Sequence, residues 1–165
     1  MSYRWVDHTA ELELEITAIS EGEVFEQALV ALSELLVVDR PEGSEPAGPV
    51  DTLNELLQSN RVIRELAVIA PDRAALLAEW LSELVFLSER DGFIPEVVKE
   101  LDLVSVSIGR ARSTYRDGLL TEERVKATVV GRLGAVRHLV KGVTYHHLIL
   151  ERRDQDWHAQ VVFDV

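Results

Sequence analysis

Residues 11–23 read Glu-Leu-Glu-Leu-Glu-Ile-Thr-Ala-Ile-Ser-Glu-Gly-Glu, and their period changes on the way. Over 11–17, Leu12, Leu14 and Ile16 alternate with Glu11, Glu13 and Glu15, the period of two that belongs to a half-buried strand. Ser20 with Glu23 three residues later is a capping box, which starts a helix. Beyond it Val24, Phe25, Ala28, Leu29, Leu32, Leu35 and Leu36 recur at spacings of three and four, one apolar stripe along that helix. The chain therefore opens as a strand followed by an amphipathic helix.

Working outward, residues 39–61 carry Pro41, Gly43, Pro46, Gly48 and Pro49, so a loop is predicted there, with one helical turn at 53–57. Residues 62–70 are rich in Val and Ile and predict a strand. Pro71 and Asp72 then start a second helix with the stripe Leu76, Leu77, Trp80, Leu81, Leu84 and Leu87. Gly92 stands just past its end. The second half reads as strand: 103–108 alternates, Arg116-Asp117-Gly118 predicts a turn, and 125–130 is a β-branched run. Residues 131–142 break the pattern and are locally basic. Segments 145–152 and 157–163 predict a hairpin around Arg153-Asp154-Gln155-Asp156. In its last strand Trp157, Ala159, Val161 and Phe163 share one face, and His158, Gln160, Val162 and Asp164 the other. The order predicts an α+β fold: a single two-layer domain over 1–165, one mixed β-sheet with two helices packed on one face, and 40–60 as an inserted loop. A doubly wound fold fits poorly, because the second half lacks crossover helices.

At 165 residues the chain has the length of one domain with a real core. It contains no cysteine, which excludes disulfides, thiolate nucleophiles and Cys-type zinc sites and predicts a reducing, cytoplasmic setting. No apolar run approaches a membrane span and no signal peptide opens the chain, so no membrane association is expected. The formal net charge of −12 would on average repel a polyanion, so direct nucleic-acid binding is not expected. Work near RNA would pass through a protein partner.

The chemistry-bearing residues gather at the two ends. If Val165 is the native terminus, Asp164 and the terminal carboxylate place acidic oxygens side by side, and Asp7 and Glu11 form a second acidic pair at the mouth of the first strand. Gathered carboxylates repel one another, and a hard divalent cation relieves that through oxygen ligands. Sequence alone does not bring these ends together. Asp7-His8-Thr9 before a strand also suits ordinary turn hydrogen bonds, and Glu13 and Glu15 are a solvated strand face. Lys141-Gly142-Val143-Thr144-Tyr145-His146-His147 clusters a cation, a hydroxyl, a phenol and two imidazoles at a loop-to-strand junction, where positioned polar groups tend to sit. His146 and His147, adjacent on a strand, are expected on opposite faces and thus unable to chelate one metal. Arg132, Arg137, His138 and Lys141 form a basic island, a solvated loop or a docking patch. No phosphate-binding loop, nucleophile elbow or HExxH helix occurs.

Three motifs resemble the archease family. Asp7-His8-Thr9-Ala10-Glu11 resembles its DHTAD signature, Lys141-Gly142-Val143-Thr144-Tyr145-His146 its KA[VI]TYH segment, and Ala159–Val165 its ending. Leu76–Ser88 is similar to its leucine-rich second helix. The resemblance covers the chain apart from residues 40–60. It implies a non-enzymatic activator of an RtcB-type tRNA-splicing ligase, one that promotes the ligase's guanylylation and turnover. It also implies a bound divalent cation, seen as calcium in members. The family's ion-holding positions fall here on Glu11, Asp164 and Val165, with Glu11 replacing the usual Asp. Asp7, His8, Lys141, Thr144 and His146 match motif positions and become candidates for supporting the site or touching the ligase. Lys141 is expected at the ligase contact, outside the metal shell. Two rivals are an independent metal-dependent hydrolase, with His8 or His146 as general base, and a chaperone-like protein-binding module.

Overall fold

The computed structural model describes residues 2–7, 10–37, 61–113 and 116–165. In chain order the elements are β1 (Ser2–Asp7), β2 (Glu11–Ala18), α1 (Glu21–Leu36), β3 (Arg61–Ala70), α2 (Arg73–Asp91), β4 (Phe93–Ser113), β5 (Arg116–Leu133), β6 (Gly142–Arg153) and β7 (Asp156–Asp164). The loop expected over 40–60 lies outside the described residues.

The strands form two sheets, β1-β2-β7-β6 and β3-β5-β4, and every neighbouring pair is antiparallel. The α+β class is as expected; the single mixed sheet is replaced by two antiparallel ones. A strand–helix–strand order yields parallel neighbours only when the chain returns to the same sheet. After α1 the chain enters β3, which pairs with β5 in the other sheet. Strand β1 was not anticipated, although Tyr3 and Trp5 pack towards the core while Arg4 between them is exposed. Arg116, Asp117 and Gly118, expected to turn, instead pair with Ser113, Arg112 and Ala111; the ladder of the long β4–β5 hairpin overrides their local preference.

The helices start and stop where their capping residues stand. Ser20 Oγ accepts from Glu23 N at 3.2 Å, and the Glu23 carboxylate accepts from Ile19 N at 3.0 Å, so two backbone donors are satisfied at the start of α1. Asp72 accepts from Ala75 N at 2.8 Å to open α2. Gly92, at φ 66°, closes it. A side chain at Gly92 would be strained there, and its Cβ would stand 2.8 Å from the Gly134 carbonyl oxygen.

Both helices touch both sheets, α1 against β2 and β4, α2 against β6 and β3. One contiguous core results, with Leu14 and Ile16 of β2, Phe25 and Leu29 of α1, Leu76 and Trp80 of α2, Val125 and Val129 of β5, and Val161 and Phe163 of β7. Each such large side chain removed from water contributes roughly 1.5–3 kcal/mol. Trp80, fully buried, satisfies its indole N–H on the Phe25 carbonyl at 3.3 Å, and Trp5 meets Phe163 edge-on at 5.5 Å between ring centres.

Candidate functional site at the joined chain ends

The alternation of β2 and of β7 decides where the acidic residues go. Leu12, Leu14 and Ile16 stand opposite Phe163, Val161 and Ala159, so burying these pairs sets the register of the two strands. A slip of one residue would turn every apolar side chain outward. That register leaves Glu11 directly opposite Asp164. Side chains of opposed residues project from the same face of a sheet, so the two carboxylates are cross-strand neighbours. Asp164 is exposed and Glu11 half-buried. Val165 continues past the strand and donates its backbone N–H to Ala10 O at 3.3 Å.

The basic loop after β5 brings the third component. Gly134 N donates to Gly92 O at 2.9 Å, Arg137 N to Leu36 O at 2.8 Å and Lys141 N to Asp164 O at 2.8 Å. These bonds lay the loop against the end of α2, then α1, then β7. Lys141 Nζ then reaches the Val165 backbone oxygen at 3.0 Å. The ammonium, expected outside the acidic site, therefore touches one of its proposed oxygens. The basic island is also divided: Arg132 pairs with Glu96 at 3.2 Å, while Arg137 and His138 remain exposed.

Strand β6 starts in register, Gly142 opposite Asp164 and Thr144 opposite Val162, and the pairing then shifts so that Ile149 faces Gln160. Four residues of β6 thus stand against one of β7. The resulting bulge holds Tyr145, His146 and His147, all exposed, with His147 at φ 54°. The imidazoles of His146 and His147 stack at 3.8 Å between ring centres. This corrects the expectation of opposite faces, which assumed an unbroken pleat; a bulge abolishes the alternation. The ring planes are inclined by 27°, so the two imidazoles lie face to face on the exposed bulge. Thr144 Oγ1 accepts from His146 N at 3.3 Å, a local bond that shapes the bulge.

The Tyr145 hydroxyl bonds the Glu79 carboxylate of α2. That bond, reinforced by burial and the Glu79 and Asp72 charges, pushes the phenol up to about 12. Glu79 was not singled out in the sequence, where it reads as one more polar position beside the α2 stripe. Of the remaining candidates, Asp7 pairs through its backbone with Leu12. The Asp7 side chain and His8 lie outside the described residues.

Comparison with known proteins places this architecture. A family model described as Archease protein family (MTH1598/TM1083) matches residues 3–165. The chain belongs to the archease family. Similar archeases include that of Methanosarcina acetivorans, 27% identical over 170 residues, covering 99% of this chain and 95% of that protein. That of Pyrobaculum islandicum is 27% identical over 165 residues, covering 100% and 96%. The fold is shared with the solution structure of Methanobacterium thermoautotrophicum protein 1598 at a TM-score of 0.62 and 19% identity, over 99% and 98% of the two chains. A Thermotoga maritima crystal structure, described as an archease and possible chaperone, matches at a TM-score of 0.51 and 20% identity, over 97% and 94%.

For an archease-family chain the donor set at the joined ends can be tested against the expected cation. Glu11 and Asp164 offer carboxylate oxygens and Val165 a backbone oxygen, all hard donors of the kind calcium takes. Among the described residues no group of three or more His, Cys, Asp or Glu side chains that could hold a metal ion is present, so the side chains placed at this site contribute two carboxylates. The donors fit an oxygen-ligated cation in kind, with water needed to complete a shell.

Proposed function

We propose that this archease-family protein is an accessory factor of the cytoplasm that activates an RtcB-type RNA ligase and promotes its guanylylation and turnover. In this reading it holds a divalent cation, calcium by the resemblance, on Glu11, Asp164 and Val165. The observation that carries the reading is the opposition of Glu11 and Asp164 across β2 and β7, with Val165 and Lys141 beside them. A bound ion would supply concentrated positive charge among otherwise repelling oxygens.

The chain's own residues would divide the work. Glu11 and Asp164 provide the anionic oxygens, and Glu11, one methylene longer than the family's Asp, suits calcium's tolerance of variable geometry better than magnesium's strict octahedron. Asp7 and His8 would support the rim. Thr144 shapes the bulge that presents His146 to the partner. A net charge of −12 steers such a protein towards a basic protein surface and away from naked RNA.

The test is a guanylylation assay with and without an RtcB-type ligase. The protein alone should turn over no RNA or nucleotide, and it should accelerate the ligase. Asp164→Ala should lose calcium affinity and stimulation together. Full stimulation by that variant would end the metal reading and favour a chaperone-like module; turnover by the purified protein alone would favour the hydrolase.

A further inference from the structure

The contact between Lys141 and Val165 has a consequence for any cation that enters the site. Nζ lies 3.0 Å from the Val165 oxygen. An oxygen shared by an ammonium at that distance and a divalent ion would set two cations against each other. Even at an exposed rim, repulsion between charges a few ångströms apart is large enough to change an affinity about tenfold. Lys141 is also anchored independently of its side chain, since its backbone N–H bonds Asp164 O at 2.8 Å. Its ammonium can therefore leave the Val165 oxygen while its backbone stays in place, swinging on a flexible four-carbon stem.

We propose that Lys141 is a built-in counter-cation that competes with the divalent ion. Its ammonium neutralises the acidic rim when the ion is absent, and ion binding drives it off the Val165 oxygen into solvent. The released ammonium is then free to meet an anionic group of a protein partner. This rests on the carboxylate cation site proposed above and adds a coupling to it: the ion and the exposed Lys141 charge arise together. Electroneutrality gives the device its purpose. The rim is never left as bare carboxylates, and the arrival of the ion becomes a change in surface charge that a partner can read.

Calorimetric titration with calcium of the parent, Lys141→Met, Lys141→Arg and Asp164→Asn proteins tests it. Lys141→Met keeps the length of the stem and removes the competing charge, so it should bind calcium about tenfold more tightly, the change expected when a neighbouring like charge is lost. Lys141→Arg should bind as the parent does. In parallel, reductive methylation read by peptide mass spectrometry should show Lys141 reacting faster with calcium present, while the exposed Lys99 and Lys126 react unchanged. Binding that Asp164→Asn abolishes but Lys141→Met leaves equal or weaker would overturn the competition and spare the cation site. Absence of calcium binding in both the parent and Lys141→Met would overturn both.

Discussion

In the four-stranded sheet the carboxylates of Glu11 and Asp164 stand at the rim where β2 and β7 meet, whereas the three-stranded sheet draws Glu123 of β5 down to 9% exposure. The Oε2 atom of the buried carboxylate gathers its partners. Arg73 of α2 approaches Glu123 at 3.1 Å and Glu21 of α1 at 3.3 Å, and Ser105 Oγ donates to Glu123 at 2.6 Å. A charge taken out of water requires such partners, although Glu21 Oε1 and Arg73 Nη1 of this cluster are themselves buried without a hydrogen bond. At the rim Asp164 is exposed and Glu11 half-buried, and among the described residues the Lys141 ammonium is held on the neighbouring Val165 oxygen. The inner cluster therefore joins the helix starts to the β4–β5 hairpin, and the outer one remains open to a ligand.

The largest expected effect tests how firmly the rim depends on the core beneath it. Phe163 is fully buried and pairs with Leu12, one residue from the Glu11–Asp164 pair. Phe163→Ala should cost about 4 kcal/mol by urea unfolding and weaken calcium binding with it. Retained ion affinity would show that the rim holds its shape without that packing. On the other sheet, a Cβ at Gly131 would stand 2.3 Å from Ile94 O and 2.6 Å from the Phe93 ring. Gly131→Ala should accordingly cost about 3 kcal/mol and leave the rim's affinity unchanged in the folded fraction.

Arg73→Met should cost about 2 kcal/mol near neutral pH, because it leaves Glu21 and Glu123 without their cation while Arg73 itself is partly solvated. Burial raises the Glu21 carboxyl above its ordinary value, opposed by the charge of Arg73. Without Arg73 the folded state holds that proton more tightly than the unfolded chain does. Stability then falls as pH rises through the window between the ordinary and the raised value, and the loss shrinks on acidification. Unfolding midpoints at pH 7 and pH 5 that differ from the parent by the same amount would remove Glu21 from the account.

The smallest effect concerns Tyr145, whose exposure of 57% gives it little weight in stability. Its phenol should ionise near pH 12 by tyrosinate absorbance, and Glu79→Gln should return it towards the ordinary value near 10. An unchanged titration in that variant would mean that the α2–bulge contact does not persist in solution.

Much of this was legible along the chain. The Leu12–Leu14–Ile16 alternation, the caps at Ser20, Asp72 and Gly92, and the hairpin around Arg153–Asp156 all appear where local preference and period put them. The motif residues Glu11, Asp164 and Lys141 were also named by their resemblance. Their adjacency was not readable, since Glu11 and Asp164 are far apart in sequence and meet only through a strand register. The stacking of His146 on His147 was misread for a related reason. A bulge is a mismatch between two strands, and one strand's own pattern cannot display it.

By itself the sequence determined both helices and their caps, the strands β2, β3 and β7, the apolar side of β2, α1, α2 and β7, and that a net charge of −12 disfavours a polyanion, because these follow from local periodicity and composition. The tertiary structure alone decided that the strands divide into two antiparallel sheets, that the two chain ends close into one acidic rim, and that Lys141 lies on the Val165 oxygen. Those outcomes depend on which buried faces pack together, a competition among distant segments settled by the shared core and its register.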